Sequence, residues 1–251
     1  MNYQVIVGMP AYNEEAVLGK LLDQVLQLQP IFEDSLKVYV VNDGSTDHTG
    51  DILRTYSSRF SCVNYLTHFQ NKGLGAAIKT LFAAVHDLYG EDDILVTLDA
   101  DNTHSPLIIP EMIKKLQEEN LDIVIASRFI SGGQESGLSL DRKIYSRGAT
   151  CLLKLFFPIP NVRDYSCGYR AYRIGYLKRA MDLYHGQLIT SGGFECMAEI
   201  LARFSKIGVA AGEYPLNLQY GLKVGKSKMK VMRTVMGYFR LVGKVKPPLV
   251  H

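Results

Sequence analysis

The sequence predicts an α/β protein with a doubly wound, mostly parallel sheet. Short apolar segments alternate with segments of helical spacing over the first 130 residues. The chain has 251 residues, 47% of them hydrophobic and 21% charged, which suits one large globular domain. Polar clusters follow three of the apolar segments, and ligands of such sheets bind beyond the carboxyl ends of the strands. We therefore expect a ligand site at one edge of the sheet.

Strands and helices alternate in the first half of the chain. The predicted strands are "YQVIVGMP", "LKVYVVN", "CVNYLTH", "DDILVTLDAD" and "LDIVIASRF". The predicted helices are "EEAVLGKLLDQVLQLQ", "HTGDILRTYSSRF", "GLGAAIKTLFAAVHDLY" and "EMIKKLQEEN", the last opened by Pro110. Right-handed crossovers through these helices would make the strands parallel.

The alternation ends after residue 130. "ISGGQESGLSLDRK" is typical of a loop, "IYSRGATCLLKLFF" and "GGFECMAEILARFSKIG" have helical patterns, and "VRDYSCGYRAYR" is an aromatic and basic stretch. No linker rich in proline, glycine or serine divides the chain, so we expect a single domain over residues 1–251.

Composition excludes several classes of protein. The four cysteines are widely spaced without a CxxC pair, which favours a reducing compartment over a disulfide framework or a zinc site. The sequence starts without the pattern of a secretory signal and has no run of about 18 apolar residues that would span a membrane. These features predict a cytoplasmic protein, either free or peripheral on the membrane face.

The tail of the chain is basic, although the net charge is only +3. No acidic residue follows Glu213, whereas the tail from residue 223 carries many cations. They are Lys223, Lys226, Lys228, Lys230, Arg233, Arg240, Lys244 and Lys246. This pattern indicates an anionic partner. A basic amphipathic helix there would either lie in a membrane interface or pack on the domain, and no nucleic-acid motif accompanies it.

Two carboxylates, Asp99 and Asp101, follow the fourth predicted strand in "LDADNTHSP". At a strand end the backbone can turn both toward one ion, and carboxylate oxygens favour Mg²⁺ or Mn²⁺ held together with substrate phosphates. The alternative is that both only solvate a turn or cap a helix. We favour the metal site, with Asp101 as the first ligand.

Other strand ends carry candidate binding residues. In "VNDGSTD", Asn42 and Asp43 follow the second strand, and we expect Asp43 to contact a ligand and Asp47 to cap the next helix. The alternative for this segment is an Asx-turn. In "NKGLGAAI", Gly73 either lets a ligand approach the backbone closely or forms a plain turn.

The loops "PAYNEE", "VNDGSTD" and "DADNTHSP", in this order and on alternating strand ends, resemble the family 2 glycosyltransferases of the GT-A fold. In the second half, "IASRFISGG", "LDRKIYSRG", "RDYSCGYRAYR" and "GKSKMK" resemble the polyprenol-phosphate mannose and glucose synthases. The resemblance implies one GT-A domain with a Rossmann-like nucleotide-binding half at 1–130, an acceptor-binding half at 131–222 and the basic tail at 223–251.

The resemblance also implies roles for individual residues. The donor, a GDP- or UDP-linked sugar, would lie against Pro10, Tyr12, Glu14, Asn42, Asp43, Gly73, Asp99, Ala100 and Asp101. Asp99 and Asp101 would hold Mg²⁺ or Mn²⁺. The phosphate of a polyprenyl phosphate acceptor would be held by Arg128, Arg142 and Ser146, and the donor phosphates by Lys228.

The chain departs from this family at three points. Leu222, beside Lys223, replaces an arginine that relatives often carry, and Thr103 stands where a further metal ligand is often glutamine. Many relatives also add transmembrane helices at the carboxyl end, and none is predicted here.

The physical chemistry of the implied reaction agrees with these residues. A metal ion and a lysine would stabilise the departing nucleoside diphosphate, and the acceptor phosphate, already anionic, needs positioning more than proton removal. Arginine forks suit that task, although Arg128 and Arg142 would otherwise be surface charges or partners of carboxylates such as Asp141. In-line displacement on an α-linked donor would invert the anomeric centre.

Two other functions stay open from the sequence. A glycosyltransferase with a sugar or protein hydroxyl acceptor would need a general base, for which Glu195 and Glu199 are candidates. A nucleotide-sugar-binding protein without catalysis is the alternative from a different class, and the intact aspartate pair argues against it.

Overall fold

The computed structural model describes residues 3–136, 140–219 and 231–248, and within these ranges only the backbone of 136, 140–146, 149, 219 and 231–233. The described strands are β1 Val5–Ala11, β2 Leu36–Asn42, β3 Val63–Thr67, β4 Ile94–Thr97, β5 Ile123–Ser127, β6 Gln134–Ser136, β7 Arg170–Arg173, β8 Ala211–Pro215 and β9 Asn217–Gln219. The described helices are α1 Leu18–Leu26, α2 Gln29–Phe32, α3 Thr49–Arg59, α4 Leu74–Leu88, α5 Ile109–Glu118, α6 Leu140–Phe156, α7 Ile174–Leu183, α8 Cys196–Ile207 and α9 Val231–Lys244, with 3₁₀ turns at Glu33–Ser35 and Pro106–Ile108.

Within the described ranges, seven strands form one sheet in the order β3-β2-β1-β4-β7-β5-β8. All neighbouring pairs are parallel except those of β7, which is antiparallel to both β4 and β5. β6 and β9 form a separate parallel pair. The predicted mostly parallel α/β sheet is therefore confirmed, and the carboxyl ends of β1, β2, β3, β4, β5 and β8 share one edge.

Helix α1 shows how the sequence pattern becomes packing. Leu18, Leu21, Leu22 and Val25 recur at intervals of three or four residues, and all four are fully buried. Each such aliphatic side chain contributes about 1.5–3 kcal/mol through burial. Helix α1 contacts the 3₁₀ turn at Pro106–Ile108 and α3, and the side chains of β1 and β5 in the sheet are likewise almost entirely buried.

The basic stretch "VRDYSCGYRAYR" enters the centre of the sheet as β7, a strand that the sequence analysis does not predict. Arg170 is fully buried there, because its guanidinium donates to the backbone carbonyls of Met197 at 2.8 Å and Tyr165 at 3.0 Å. These two hydrogen bonds offset part of the cost of burying the cation, although the buried Nε of Arg170 has no hydrogen-bond partner among the described residues. Because Arg170 is basic, the sequence pattern of this segment did not predict a buried strand.

The carboxyl-terminal helix α9 packs against α6 and α8. Tyr238, Leu241 and Val245 are buried on its inner face, whereas Met236 and Phe239 are about half exposed. No helix in the described part of the chain is long and apolar enough to cross a membrane. All four cysteines are free thiols in the structure.

Candidate active site

The candidate site lies at the sheet edge where the parallel strands end. Asp99 and Asp101 follow β4, and Arg128 directly follows β5. Because β7 runs in the opposite direction, the segment that precedes it reaches the same edge. A Cβ atom on Gly168 would lie 3.5 Å from Oδ1 of Asp99, so the chain entering β7 borders the aspartate loop.

Asp101 is buried and Asp99 is half-buried. Oδ1 of Asp101 accepts hydrogen bonds from the Thr103 hydroxyl at 2.6 Å and the Thr103 amide at 3.2 Å. The Asp99 amide faces Nδ1 of the buried His104 at 3.4 Å. Thr103, the departure noted in the sequence, thus acts on Asp101 by orienting its carboxylate.

The two aspartates fit a divalent ion that binds together with a phosphorylated substrate. Carboxylate oxygens are the ligands that Mg²⁺ and Mn²⁺ prefer. Among the residues that the structure describes, no group of three or more His, Cys, Asp or Glu side chains could hold a metal ion. Mg²⁺ is commonly bound by one or two carboxylates while substrate phosphates and water complete the shell.

The loops that follow β1 and β2 are bonded to each other. The Asn13 amide donates to the Ser45 hydroxyl at 3.0 Å, and the Thr46 amide donates to Oδ1 of Asn13 at 2.9 Å. The Glu14 amide donates to the Thr49 hydroxyl at 2.9 Å. These bonds fix the segment "AYNEE" beside the start of α3.

Asp47 has the structural role that the sequence predicts. Its carboxylate accepts the amide of Thr49, the first residue of α3, at 3.0 Å and the amide of Glu15 at 3.1 Å. Asn42 closes an Asx-type turn by accepting the Ser45 amide at 3.0 Å. Asn42 is therefore engaged in the loop itself, as the alternative interpretation of this segment stated.

Asp43 is buried and engaged by its own chain. Oδ1 lies 2.6 Å from Nδ1 of His68 and accepts the Lys72 amide at 2.9 Å, and Oδ2 accepts the Gly73 amide at 2.8 Å. A carboxylate has about four acceptor positions, so three contacts leave about one for a ligand. The carboxylate thus holds the turn before α4, a task that the sequence analysis did not assign.

The structure explains why glycine is needed at this turn by close packing of the backbone and not by the approach of a ligand. Gly73 has φ of +91°, and a Cβ there would lie 2.5 Å from the Gly192 carbonyl oxygen. A Cβ on Gly75 would collide with the Ser191 carbonyl oxygen, and the Gly75 amide donates to Gly192 at 3.1 Å. The backbone that approaches this turn closely is thus that of residues 191–192.

Arg128 forms a buried ion pair with the fully buried Asp164. Nε and Nη2 of Arg128 donate to the two carboxylate oxygens at 2.7 and 2.8 Å, and Nη2 also donates to Ser166 at 2.7 Å. Nη1 lies 3.5 Å from Glu135. Burial alone would lower the pKa of Arg128 and raise that of Asp164, but their pairing holds both in the opposite direction. The carboxylate that pairs most closely with Arg128 is thus that of Asp164, which lies 36 residues further along the chain.

Glu199 is fully buried and anchors the 190–191 segment. It accepts the amides of Thr190 at 3.0 Å and Ser191 at 2.8 Å, the Thr190 hydroxyl, and Nη2 of Arg203 at 3.1 Å. Burial would raise the pKa of Glu199, but these hydrogen bonds lower it below its ordinary range. A carboxylate so engaged is a poor general base, which removes one candidate of the hydroxyl-acceptor interpretation.

The structure brings the expected donor-site residues to one sheet edge but exposes them unequally. Half-buried are Pro10, Tyr12, Glu14, Gly73 and Asp99, and buried are Asn42, Asp43, Ala100 and Asp101. Arg142 and Ser146 lie on α6, where only the backbone is described, and Lys228 lies outside the described residues, as do Leu222 and Lys223. The predictions for these residues therefore stay predictions.

The fold is that of the GT-A glycosyltransferases. The structure is similar to that of glucosyl-3-phosphoglycerate synthase from Mycobacterium tuberculosis in complex with Mn²⁺, uridine diphosphate and phosphoglyceric acid, with a TM-score of 0.68 and 19% identity, covering 96% of this chain and 79% of that one. A structure of the same enzyme with Mg²⁺ and uridine diphosphate also gives 0.68, at 18% identity, covering 96% and 80%.

The sequence comparisons narrow the class to a family. The model of Glycosyl transferase family 2 matches residues 6–180. An undecaprenyl-phosphate mannosyltransferase from Micrococcus luteus is 31% identical over 230 residues, which is 90% of this chain and 87% of that protein. A dolichol-phosphate mannosyltransferase from Pyrococcus furiosus is 29% identical over 242 residues, which is 94% of this chain but only 62% of that protein. The chain belongs to glycosyl transferase family 2, and it is a glycosyltransferase.

The sequence analysis did not identify several buried residues that hold other segments of the chain in place. His68, Asp164 and Glu213 are buried at the ends of strands or beside them, and each bonds to a segment distant in sequence. Glu213 accepts the amides of Arg163 and Asp164 at 2.8 and 2.7 Å. Burial raises its pKa above the ordinary range despite these bonds. For His68 and Glu213 the available signal was a polar residue directly after or within a strand, whereas Asp164 lies in the loop before β7 and had no such signal.

Two buried glutamates should respond to pH in opposite ways. The folded-state pKa of Glu199 lies below its ordinary value of 4.5, so its stabilising contribution is present above pH 4.5 and is lost as pH falls through the folded-state pKa. The folded-state pKa of Glu213 lies above 4.5, so its ionisation destabilises the fold as pH rises from 4.5 through that pKa. Glu199→Gln should lower the free energy of unfolding at pH 7 by about 1.5–3 kcal/mol, and Glu213→Gln should raise it.

Urea unfolding between pH 4 and pH 8 measures both effects, with exposed Glu118→Gln on α5 as a matched control. Below pH 4.5 the deficit of Glu199→Gln should shrink, and the gain of Glu213→Gln should vanish. Parallel pH profiles for wild type and both variants would contradict the assignment.

Proposed function

We propose that this chain transfers a hexose, mannose or glucose, from a GDP- or UDP-linked sugar to a polyprenyl phosphate, with inversion at the anomeric carbon. The observation that carries the proposal is the aspartate pair at the sheet edge, in a chain related to two polyprenyl-phosphate mannosyltransferases. The neighbouring structures that contain uridine diphosphate with Mn²⁺ or Mg²⁺ support a nucleotide-sugar donor and a divalent ion.

On the donor side, Asp99 and Asp101 would hold Mg²⁺ or Mn²⁺. When bound, the ion would stabilise the negative charge that develops on the departing nucleoside diphosphate. Thr103 orients the Asp101 carboxylate through two hydrogen bonds. Pro10, Tyr12 and the joined loops after β1 and β2 would receive the base and ribose, and Lys228 is assigned to the donor phosphates by the family resemblance.

On the acceptor side, a phosphate monoester needs orientation, because it is already anionic near neutral pH. Arg142 and Ser146 are four residues apart in α6 and so lie on one face of the helix. Arg128 offers less than the sequence suggested, because Asp164 and Ser166 engage its Nε and Nη2 atoms. Nη1 of Arg128 in turn lies 3.5 Å from Glu135, so an acceptor phosphate would compete with a carboxylate for that nitrogen.

Helix α9 would bring the protein to the membrane that holds the acceptor. Its inner face packs on the domain, yet Met236 and Phe239 remain about half exposed, and Arg240 beside them is exposed. Apolar side chains next to cations suit the interface of an anionic membrane. The two interpretations of the tail, packing on the domain and lying in a membrane interface, thus have support on opposite faces of one helix. We therefore propose that the chain lies at the cytoplasmic membrane surface.

The aspartate pair should be required for catalysis. Asp101→Asn and Asp99→Asn should each lower the rate of lipid-linked hexose formation by at least about 100-fold, because metal stabilisation of the leaving group is worth several kcal/mol. Asp92→Asn, an exposed aspartate just before the amino end of the same strand, is the matched control. The assay uses radiolabelled GDP-mannose and UDP-glucose with undecaprenyl phosphate, with Mn²⁺ or with EDTA. Full activity of Asp101→Asn, or in EDTA, would refute metal dependence.

Arg142→Ala tests the acceptor more cleanly than Arg128→Ala. Removing Arg128 would leave the Asp164 charge buried and unpaired, which costs about 3–5 kcal/mol and threatens folding. If the acceptor is a phosphate, Arg142→Ala should abolish transfer to the lipid while slow hydrolysis of the donor persists. Arg147→Ala, an exposed arginine on the same helix, should transfer normally. Unchanged transfer to the lipid by Arg142→Ala would contradict a role of Arg142 in holding the acceptor phosphate.

Membrane contact through α9 can be measured by vesicle sedimentation. At low salt, the wild type should sediment with vesicles of phosphatidylglycerol and phosphatidylcholine, and less with phosphatidylcholine alone. Met236→Ser with Phe239→Ser should release the protein, because both apolar anchors are lost. Leu88→Ser, at an exposed apolar position on α4, is the control and should still sediment. Equal sedimentation of all three proteins would exclude this surface.

A further inference from the structure

His68 is a buried imidazole to which the proposed reaction gives no task. Its Nδ1 lies 2.6 Å from Oδ1 of Asp43, and its Nε2 lies 2.9 Å from the hydroxyl of Thr80. The two partners belong to different elements, because Asp43 follows β2 and Thr80 lies on α4. The His68 amide also donates to the Asn42 carbonyl at 2.9 Å, which holds the backbone at His68 against the end of β2.

The direction of these hydrogen bonds follows from the chemistry of the groups. An ionised carboxylate only accepts, so Nδ1 carries the proton of the bond to Asp43. Nε2 then bonds to the Thr80 hydroxyl, which can donate or accept. A hydrogen bond to an ionised acceptor is shorter and stronger than a neutral one, and burial strengthens it further. The His68 ring therefore fixes the plane of the Asp43 carboxylate.

The fixed carboxylate in turn fixes the backbone of the turn that precedes α4. Asp43 accepts the Lys72 amide on Oδ1 and the Gly73 amide on Oδ2, at 2.9 and 2.8 Å. A rotation of this carboxylate would break both bonds and leave the two amides without their acceptor. The position of the turn thus depends on the orientation of one side chain, which His68 sets.

A second buried carboxylate holds the same turn from the opposite side. Glu199 anchors the amides of Thr190 and Ser191, and the Gly192 carbonyl that follows accepts the Gly75 amide at 3.1 Å. The turn therefore lies between two anchored segments. On the Glu199 side the contact is backbone to backbone, whereas on the Asp43 side a single imidazole decides the geometry.

We propose that His68 is a positioning residue for binding of the nucleotide part of the donor. Through Asp43 it holds the turn at residues 72–73, and it directs the remaining acceptor position of that carboxylate, at the edge where the donor would bind. The proposal rests on the proposed function, since it names what shapes the donor side of the same site. His68 touches neither the donor nor the reacting atoms, so its loss should affect donor binding far more than the chemical step.

Four variants separate hydrogen bonding from packing. His68→Ala removes both bonds. His68→Asn places an amide N–H near the position of Nδ1 and so retains the donor to Asp43. Thr80→Val removes the partner of Nε2 but leaves the contact with Asp43. His68→Gln loses the donor to Asp43 with less loss of volume, and it replaces His68→Ala should that variant not fold.

The measurements are calorimetric affinities for GDP and UDP with Mn²⁺, KM and kcat for the donor, and hydrogen exchange of the amides in residues 69–75. In His68→Ala the dissociation constant of the bound nucleotide and the KM should rise about 10-fold or more, with kcat within about threefold of wild type. Amide exchange in 69–75 should accelerate. His68→Asn should recover most of the affinity and protection, and Thr80→Val should weaken binding only slightly.

Two results would overturn the proposal: wild-type affinity and protection in His68→Ala, or equal loss in folded His68→Asn and His68→Ala, which would show that ring volume alone matters. A fall in kcat without a change in KM would also contradict a positioning role. Failure of the wild type to bind either nucleotide would refute the proposed function instead. The exchange comparison, made without any ligand, still decides whether His68 holds the turn.

Discussion

The candidate site depends on buried carboxylates that bind the amide groups of its loops. Loops at a sheet edge have no ladder partners, and a buried amide without an acceptor is costly. Asp43, Asp164, Glu199 and Glu213 each accept backbone amides from a segment that is not part of a regular ladder. The loops therefore owe their shape to charged side chains, and the site edge carries a high density of negative charge as a result.

This concentration of negative charge explains why the cations lie where they do. Arg128 pairs with Asp164 and Arg203 with Glu199, while Asp43 accepts a hydrogen bond from the His68 ring. Most acidic residues near the site are thus engaged within the chain, and a carboxylate at a strand end is not by itself evidence of a ligand. Asp99 and Asp101 differ in their setting, because they follow the central strand β4 and the chain supplies no third carboxylate, histidine or cysteine among the described residues to complete a metal site.

The antiparallel strand β7 is what joins the two halves of the chain into one site. It lies between β4 and β5, and the segment that enters it carries Asp164 to Arg128 and Gly168 to Asp99. The residues expected on the donor side and on the acceptor side consequently share one edge of the sheet. The same arrangement makes Arg128 an element of the scaffold, which is why the proposed acceptor site is better tested through Arg142 on α6.

The sequence by itself determined the fold class, the strand ends that form the site, the capping role of Asp47 and the family, because these depend on patterns within a few residues or on motifs in a fixed order. Apolar periodicity and turn chemistry act locally, so α1, β1 and β5 lie close to where the sequence predicts them. Only the tertiary structure decided that "RAYR" is a core strand, that Arg128 pairs with Asp164 and that His68 orients Asp43. Each of those contacts joins residues far apart in sequence, and the strand order that brings them together is set by packing of the whole sheet, which no local pattern encodes.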